Sequence, residues 1–186
     1  MGAAGKEAFA AWFYPLHLTV EFDPQAPPDD AQILQGLAPY RKMHVEDQDT
    51  LLFAARMAPL FAMWKRIGNW ALPHPWTETI LPWGTAQPFI SQVLANLPPT
   101  ALGGGHVLLW PCRGTSSRVP LFMHPQTPLV MGFGILPGVP PDVLPQARQR
   151  LNMMSDLSMA AGASRYLSGF IEFDRARWKR HFGALW

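Results

Sequence analysis

The chain has 186 residues, enough for one domain with a proper core; it is 48% hydrophobic and 15% charged, with a net charge of +2. No Lys/Arg cluster runs along one face, so nucleic-acid binding has little electrostatic support, and no stretch approaches the roughly 20 apolar residues of a membrane span. A lone cysteine, Cys112, excludes an internal disulfide, and the six histidines (His17, His44, His74, His106, His124 and His181) show no zinc-ligand spacing.

Lys6-Glu7 precede the apolar run Phe9–Leu18, which reads as a core strand rather than a signal peptide, and the cytoplasm is the expected compartment. Trp12–Phe22 alternates, with Leu16, Leu18, Val20 and Phe22 set against His17, Thr19 and Glu21, which predicts a half-buried strand. Asp23–Asp30 is a loop, and Asp29 or Asp30 caps a helix through Ala31–Leu37. Tyr40–Asp49 is a polar connection. Thr50–Trp64 has helical spacing at Leu52, Met57, Leu60, Phe61 and Trp64, and Pro59 must kink or divide it.

A strand through Leu81 follows, then an amphipathic helix over Pro88–Leu97 with Phe89, Val93 and Leu97 on one stripe. Gly103–Pro111 reads as a glycine turn leading into a strand, and Leu129–Leu136 as another strand, with a loop over Arg113–Pro128 between them. Pro145–Gly162 is the clearest helix, with Ala147, Leu151, Met154, Leu157 and Ala161 on one side and Gly162 closing it. Ser164–Phe173 is a last strand, and Asp174 caps a helix containing Trp178, Phe182 and Leu185. This order predicts an α+β fold over residues 1–186: a largely antiparallel sheet with helices on one side. Eight tryptophans and eleven phenylalanines in so uncharged a chain fit a domain that buries one side against another protein or domain.

The stretch Leu72-Pro73-His74-Pro75-Trp76-Thr77-Glu78 carries the strongest local signal. Proline fixes its own φ and pushes the preceding residue toward extended geometry, so Trp76 enters a strand in a defined direction, with Glu78 and Ile80 following on its face. Trp76 is then either a core aromatic or one wall of a pocket for a planar ligand. Glu78 and Glu172 are either solvent-facing strand carboxylates or acids inside that pocket. Gly103-Gly104-Gly105 lacks the Gly-Lys-Ser/Thr of a phosphate loop. Gly132-Phe133-Gly134 lies inside an apolar strand and is explained by close backbone approach or a bulge. No Gly-x-Ser-x-Gly elbow occurs.

Taken together, Pro73-His74-Pro75-Trp76, the Val-Leu-Leu-Trp-Pro run at Val107–Pro111, and Trp178-Lys179-Arg180-His181-Phe182-Gly183 with Trp186 resemble the substrate domain of cytokinin dehydrogenases, FAD-linked amine oxidoreductases. The opening Tyr14–Asp23 segment, the Pro-Pro-Asp-Asp loop and the Gly68-Asn69-Trp70 step fall in the same order, so the resemblance covers nearly the whole chain. It implies a two-domain enzyme in which one domain holds FAD, usually through a covalent histidine, and carries the aspartate that takes the amine proton. The other domain covers the flavin and supplies the pocket. This chain resembles the second domain only, so FAD and the catalytic base are expected from a separate FAD-binding domain or chain, not from these residues.

The resemblance implies a substrate-binding set of Trp76, Glu78, Phe133, Leu136 and Leu167, with Trp110 and Pro111 facing the cofactor. Two departures bear on the substrate. Glu78 stands where the family usually has Asn, and Pro59-Leu60-Phe61-Ala62 lacks the family's upstream glutamate. A planar small molecule remains the expected ligand: a cytokinin, or another planar amine or alcohol. The alternative expectation is a detached ligand-binding or interaction module, or a truncated remnant, with no activity of its own.

Overall fold

The computed structural model describes residues 14–39, 41, 44–114, 119 and 121–186. The chain divides into two compact units, Met1–Ala58 and Pro59–Trp186. In the first, two short helices form, α1 (Asp30–Ile33) and α2 (Thr50–Ala54). Each starts where an aspartate accepts backbone N–H groups: Asp29 from Ala31, and Asp49 from Leu51 and Leu52. Helix α1 is shorter than its predicted span and turns off before Gly36, which takes a positive φ of 81°.

The predicted strand over Trp12–Phe22 does not form among its described residues. Tyr14–Phe22 pairs with no strand, and Tyr14, Leu16, Leu18 and Val20 are exposed. Trp12 and the start of the Phe9–Leu18 run lie outside the described residues, as do Tyr40 and part of the Arg113–Pro128 loop. Alternation selects a face, but a strand also needs a neighbour to take up its N–H and C=O groups. The Thr50–Trp64 helix is divided as Pro59 requires: α2 ends at Ala54, and α3 (Ala58–Arg66) carries the proline in its first turn.

The second unit is built on one four-stranded sheet, in which every strand pairing is antiparallel. The strands are β1 (Thr77–Pro82), β2 (His106–Arg113), β3 (Leu129–Leu136) and β4 (Ser164–Arg165), in spatial order β2-β3-β1-β4. Strand β3 is central and matches its predicted range, and Gly132 through Leu136 are all buried. Strand β2 is an edge strand, which is why Pro111 is tolerated in it: its missing N–H costs no ladder bond there.

Helices α4 (Trp83–Asn96) and α5 (Leu144–Ala160) pack against one face of this sheet. Ala86, Phe89, Val93 and Leu97 form the buried stripe of α4, and the Phe89 ring meets Phe133 edge-on at 6.0 Å. Helix α4 starts five residues earlier than the predicted Pro88. Pro88 is exposed inside it and has no N–H to offer the Gly84 carbonyl. On α5 Leu151 faces inward as predicted, but Leu157 is exposed and Ser158 takes the buried place beside it. The reason is polar: Thr79 of β1 donates to Ser158, and Ser158 donates to the Ser155 carbonyl at 2.8 Å. A hydroxyl pair satisfies both groups in the core, where a leucine could not.

The predicted strand over Ser164–Phe173 is only two residues long. Thr79 pairs with Arg165, so an unbroken register would set Trp76 opposite Ser168. Trp76 bonds Phe170 instead, two residues further on, and the chain between them bows outward. Helix α6 (Arg175–Phe182) begins at Asp174 as predicted, with the Asp174 carboxylate accepting from the Arg177 N–H at 2.7 Å.

Candidate functional site: the open face of the sheet

Side chains alternate across a strand, so register decides which residues share a face. Thr79, Leu81 and Phe133 face the helices. Glu78, Ile80, Gly132, Gly134, Leu136 and Trp110 project from the other side, by the pairings Ile80↔Gly132↔Trp110 and Glu78↔Gly134.

Two glycines form the floor of this second face. A Cβ on Gly132 would fall inside the Trp110 indole, so the ring lies directly on the strand backbone. A Cβ on Gly134 would meet Glu78 Cγ at 3.1 Å, Glu78 Oε1 at 3.5 Å and Trp110 Cζ3 at 3.5 Å. The indole and the carboxylate therefore converge over Gly134. Tyr166 meets the Trp110 ring edge-on at 6.4 Å, and Phe122 meets Tyr166 at 5.8 Å. The Ser168 hydroxyl donates to the Glu78 carboxylate. The product is a corner with a flat aromatic surface, an aromatic edge and an acid within reach of one another.

Glu78 is half-buried. Burial pushes its carboxyl above the usual carboxylate range, and the Arg165 charge opposes that rise. His106, which pairs with Leu136 at the end of the sheet nearest Trp64, is pushed down by burial. Buried His181 on α6 is pushed down by burial first and by Arg165 second. A histidine held neutral in the fold contributes stability that is complete above its unfolded value, about 6.5, and lost as pH falls through its lower folded value. Glu78 runs the other way, its contribution being present below its unfolded value and lost as pH rises through the raised folded one. Urea unfolding of His181→Gln beside the native chain checks the histidine contribution. The stability gap between them should be wider near pH 7 than near pH 5. An equal gap at both values would remove His181 from the account.

The structure separates the residues that the sequence grouped. Trp110 and Glu78 meet on the open face. Pro111 projects from the opposite face of the exposed edge strand. Phe133 is 3% exposed and stands behind the sheet against α4. Leu136 shares the face of Trp110 but is buried at the His106 end. Leu167 is exposed in the bowed segment after β4. Trp76 is half-buried, edge-on to His74 at 5.8 Å, with its indole Nε1 buried and unpartnered. His74 in turn stacks on Trp64 at 6.2 Å. Glu172 is far from this corner in its contacts: it bonds Arg148 at 3.0 Å and Asn152 on the outer side of α5.

Sequence reasoning passed over Arg165, at the end of the two-residue strand β4, and Tyr166 and Ser168, which have no spacing signal because an irregular segment carries them. The Gly-x-Gly inside β3 was the available signal for the floor, and close approach is its cause. The glycine turn before β2 serves packing. A Cβ on Gly104 would meet Asn69 Oδ1 at 2.5 Å, and Gly105 lies against the Leu136 carbonyl, so the turn leaves no room for a phosphate. Among the described residues, no cluster of His, Cys, Asp and Glu is arranged to hold a metal, and no helix is long and apolar enough to cross a membrane.

The family described as "Cytokinin dehydrogenase 1, FAD and cytokinin binding" matches residues 30–186. An "Uncharacterized oxidoreductase ORF5 in fasciation locus" from Rhodococcoides fascians is 24% identical over 178 residues, covering 93% of this chain and 40% of that protein. The chain thus spans about 40% of the length of the curated relative it matches. With the α+β fold, the antiparallel sheet and a match across most of its residues, the chain belongs to the family of FAD- and cytokinin-binding domains of cytokinin dehydrogenases.

Proposed function

We propose that the chain is the substrate-covering domain of an FAD-dependent oxidoreductase that oxidises a planar amine of the cytokinin type. The observation that carries this reading is the placement of Trp110 flat on Gly132 with Glu78 at its edge, on the face opposite α4 and α5. A planar heteroaromatic stacks on Trp110. The Glu78 carboxylate accepts an N–H from the ring or its amine, and Ser168 holds that carboxylate in place. Tyr166 and Phe122 close one side and exclude water from the bound face. FAD, when bound by a separate FAD-binding domain or chain, supplies the hydride acceptor. The residues of this chain bind, orient and shield.

Residues 1–186 then act as one substrate-binding region that is completed by the flavin domain. Glu78 in place of the family's usual Asn favours substrates that present a donor to a carboxylate, which includes planar amines other than cytokinins.

Tryptophan fluorescence of the chain titrated with isopentenyl adenine tests the reading. Saturable quenching is expected for the native chain, with a dissociation constant raised by about tenfold, or 1.4 kcal/mol, in Glu78→Gln. Flat titrations with both adenines and aromatic amines would sink the proposal. Dye reduction after mixing with a matching flavin domain then tests turnover separately.

A further inference from the structure

Arg165 is the largest fully buried side chain of the described residues, at 2% exposure. A guanidinium inside a protein is costly unless its donors are met. Here the two terminal nitrogens are met by five main-chain carbonyls. Nη1 donates to Glu78 and to Tyr166 at 2.8 Å, and Nη2 donates to Phe170 at 3.0 Å, Ser168 at 3.2 Å and Trp76 at 3.5 Å. Two of those carbonyls also hold the irregular segment directly. Glu78 O accepts the Tyr166 N–H at 3.1 Å, and Trp76 O accepts the Phe170 N–H at 2.8 Å. Between those two bonds the ladder slips by two residues, and the guanidinium fills the gap. Gly169 completes the bow with a positive φ of 68°, its α-carbon packed against the Trp76 backbone.

We propose that Arg165 is a positioning residue for the planar-ligand site: its guanidinium sets the path of residues 165–170 and so places Glu78, Tyr166 and Ser168 around Trp110. The inference rests on the reading of that face as the ligand site. The carbonyls it binds belong to Glu78, Tyr166 and Ser168 themselves, and those three side chains then turn to the open face. A planar fork with five donors suits this gap, and a lysine, a single point charge, does not. The charged and titratable groups facing the guanidinium are Glu78 from β1 and His181 from α6. Burial lowers Arg165 to about 10, so it stays charged at neutral pH.

Two variants separate position from charge. Arg165→Lys keeps the charge and loses the fork, and Arg165→Gln loses both. In Arg165→Lys, amide exchange at Tyr166 and Phe170 should accelerate by about tenfold or more while Leu81 and Ile135 in the strand core keep their protection. Affinity for isopentenyl adenine should fall by about tenfold with its pH profile unmoved. In Arg165→Gln, the pH at which Glu78 supports binding should also move upward, because the opposing charge is gone. A purely structural arginine would lower all protection together. Native protection at Tyr166 and Phe170 with native affinity in Arg165→Lys overturns the proposal, and this variant decides it even if Arg165→Gln does not fold. If the native chain binds no planar amine, the function proposed above fails, and the exchange comparison still judges Arg165 by itself.

Discussion

Gly132→Val should remove ligand binding by the open face while leaving a folded chain. A side chain at this position has nowhere to go. Its first carbon would fall among Cε2, Nε1 and Cδ2 of Trp110, the body of a rigid ring rather than the end of a flexible chain. The indole must therefore lift off the strand, and the aromatic floor is lost. Overpacking of this kind costs roughly 1–3 kcal/mol, below the total stability of an ordinary domain. The expected readout is a shift of tryptophan emission toward longer wavelength and a loss of isopentenyl adenine quenching of at least about tenfold. Gly134→Ala is the graded control. Its Cβ meets Glu78 Cγ at 3.1 Å and Trp110 Cζ3 at 3.5 Å, so a movement of a few tenths of an ångström relieves it. Native affinity in Gly132→Val would mean that Trp110 does not form the floor of the ligand site.

Phe133→Ala should show the reverse pattern. Phe133 is 3% exposed, and its ring meets Phe89 of α4 edge-on. Truncating it opens a cavity between sheet and helix and should cost about 3–5 kcal/mol. The denaturant midpoint should fall sharply. In buffer without denaturant, the folded chain should bind the planar amine within about twofold of native affinity, because the lost ring faces away from Trp110. A tenfold loss of affinity at native stability would put Phe133 in the ligand wall instead. The two variants sit on neighbouring residues of one strand, so their opposite outcomes test the assignment of faces itself.

Much of the fold was legible because it follows local rules. Leu129–Leu136 is a strand whose residues are apolar on both faces, as a central strand requires. Phe89, Val93 and Leu97 recur at helical spacing, and Asp174 has the oxygen that a helix start needs. Tyr14–Phe22 was misread for an equally physical reason. It carries a strand's alternation but finds no partner edge among the described residues, and pairing is a nonlocal property. The site was legible in part. Trp110 and Glu78 were singled out from sequence, and the structure brings them together over Gly134. The family resemblance puts Phe133 and Leu136 in one apolar wall, yet an odd separation puts them on opposite faces of the strand.

The sequence by itself determined the class of fold, the capped helix starts, the central strand and the family, since each depends on neighbours in the chain or on short motifs kept in order. Only the tertiary structure decided which face is open, that two glycines carry the Trp110 ring, and that Ser168 and Tyr166 stand beside Glu78. Those contacts join residues up to 90 positions apart, as between Glu78 and Ser168. Arg165 shows the difference most sharply. In the sequence it is one charged residue at the end of a short strand. In the fold its two terminal nitrogens close a gap that exists only because β4 leaves register with β1. A side chain that answers main-chain carbonyls leaves no pattern in sequence, because the groups it satisfies are the same in every residue.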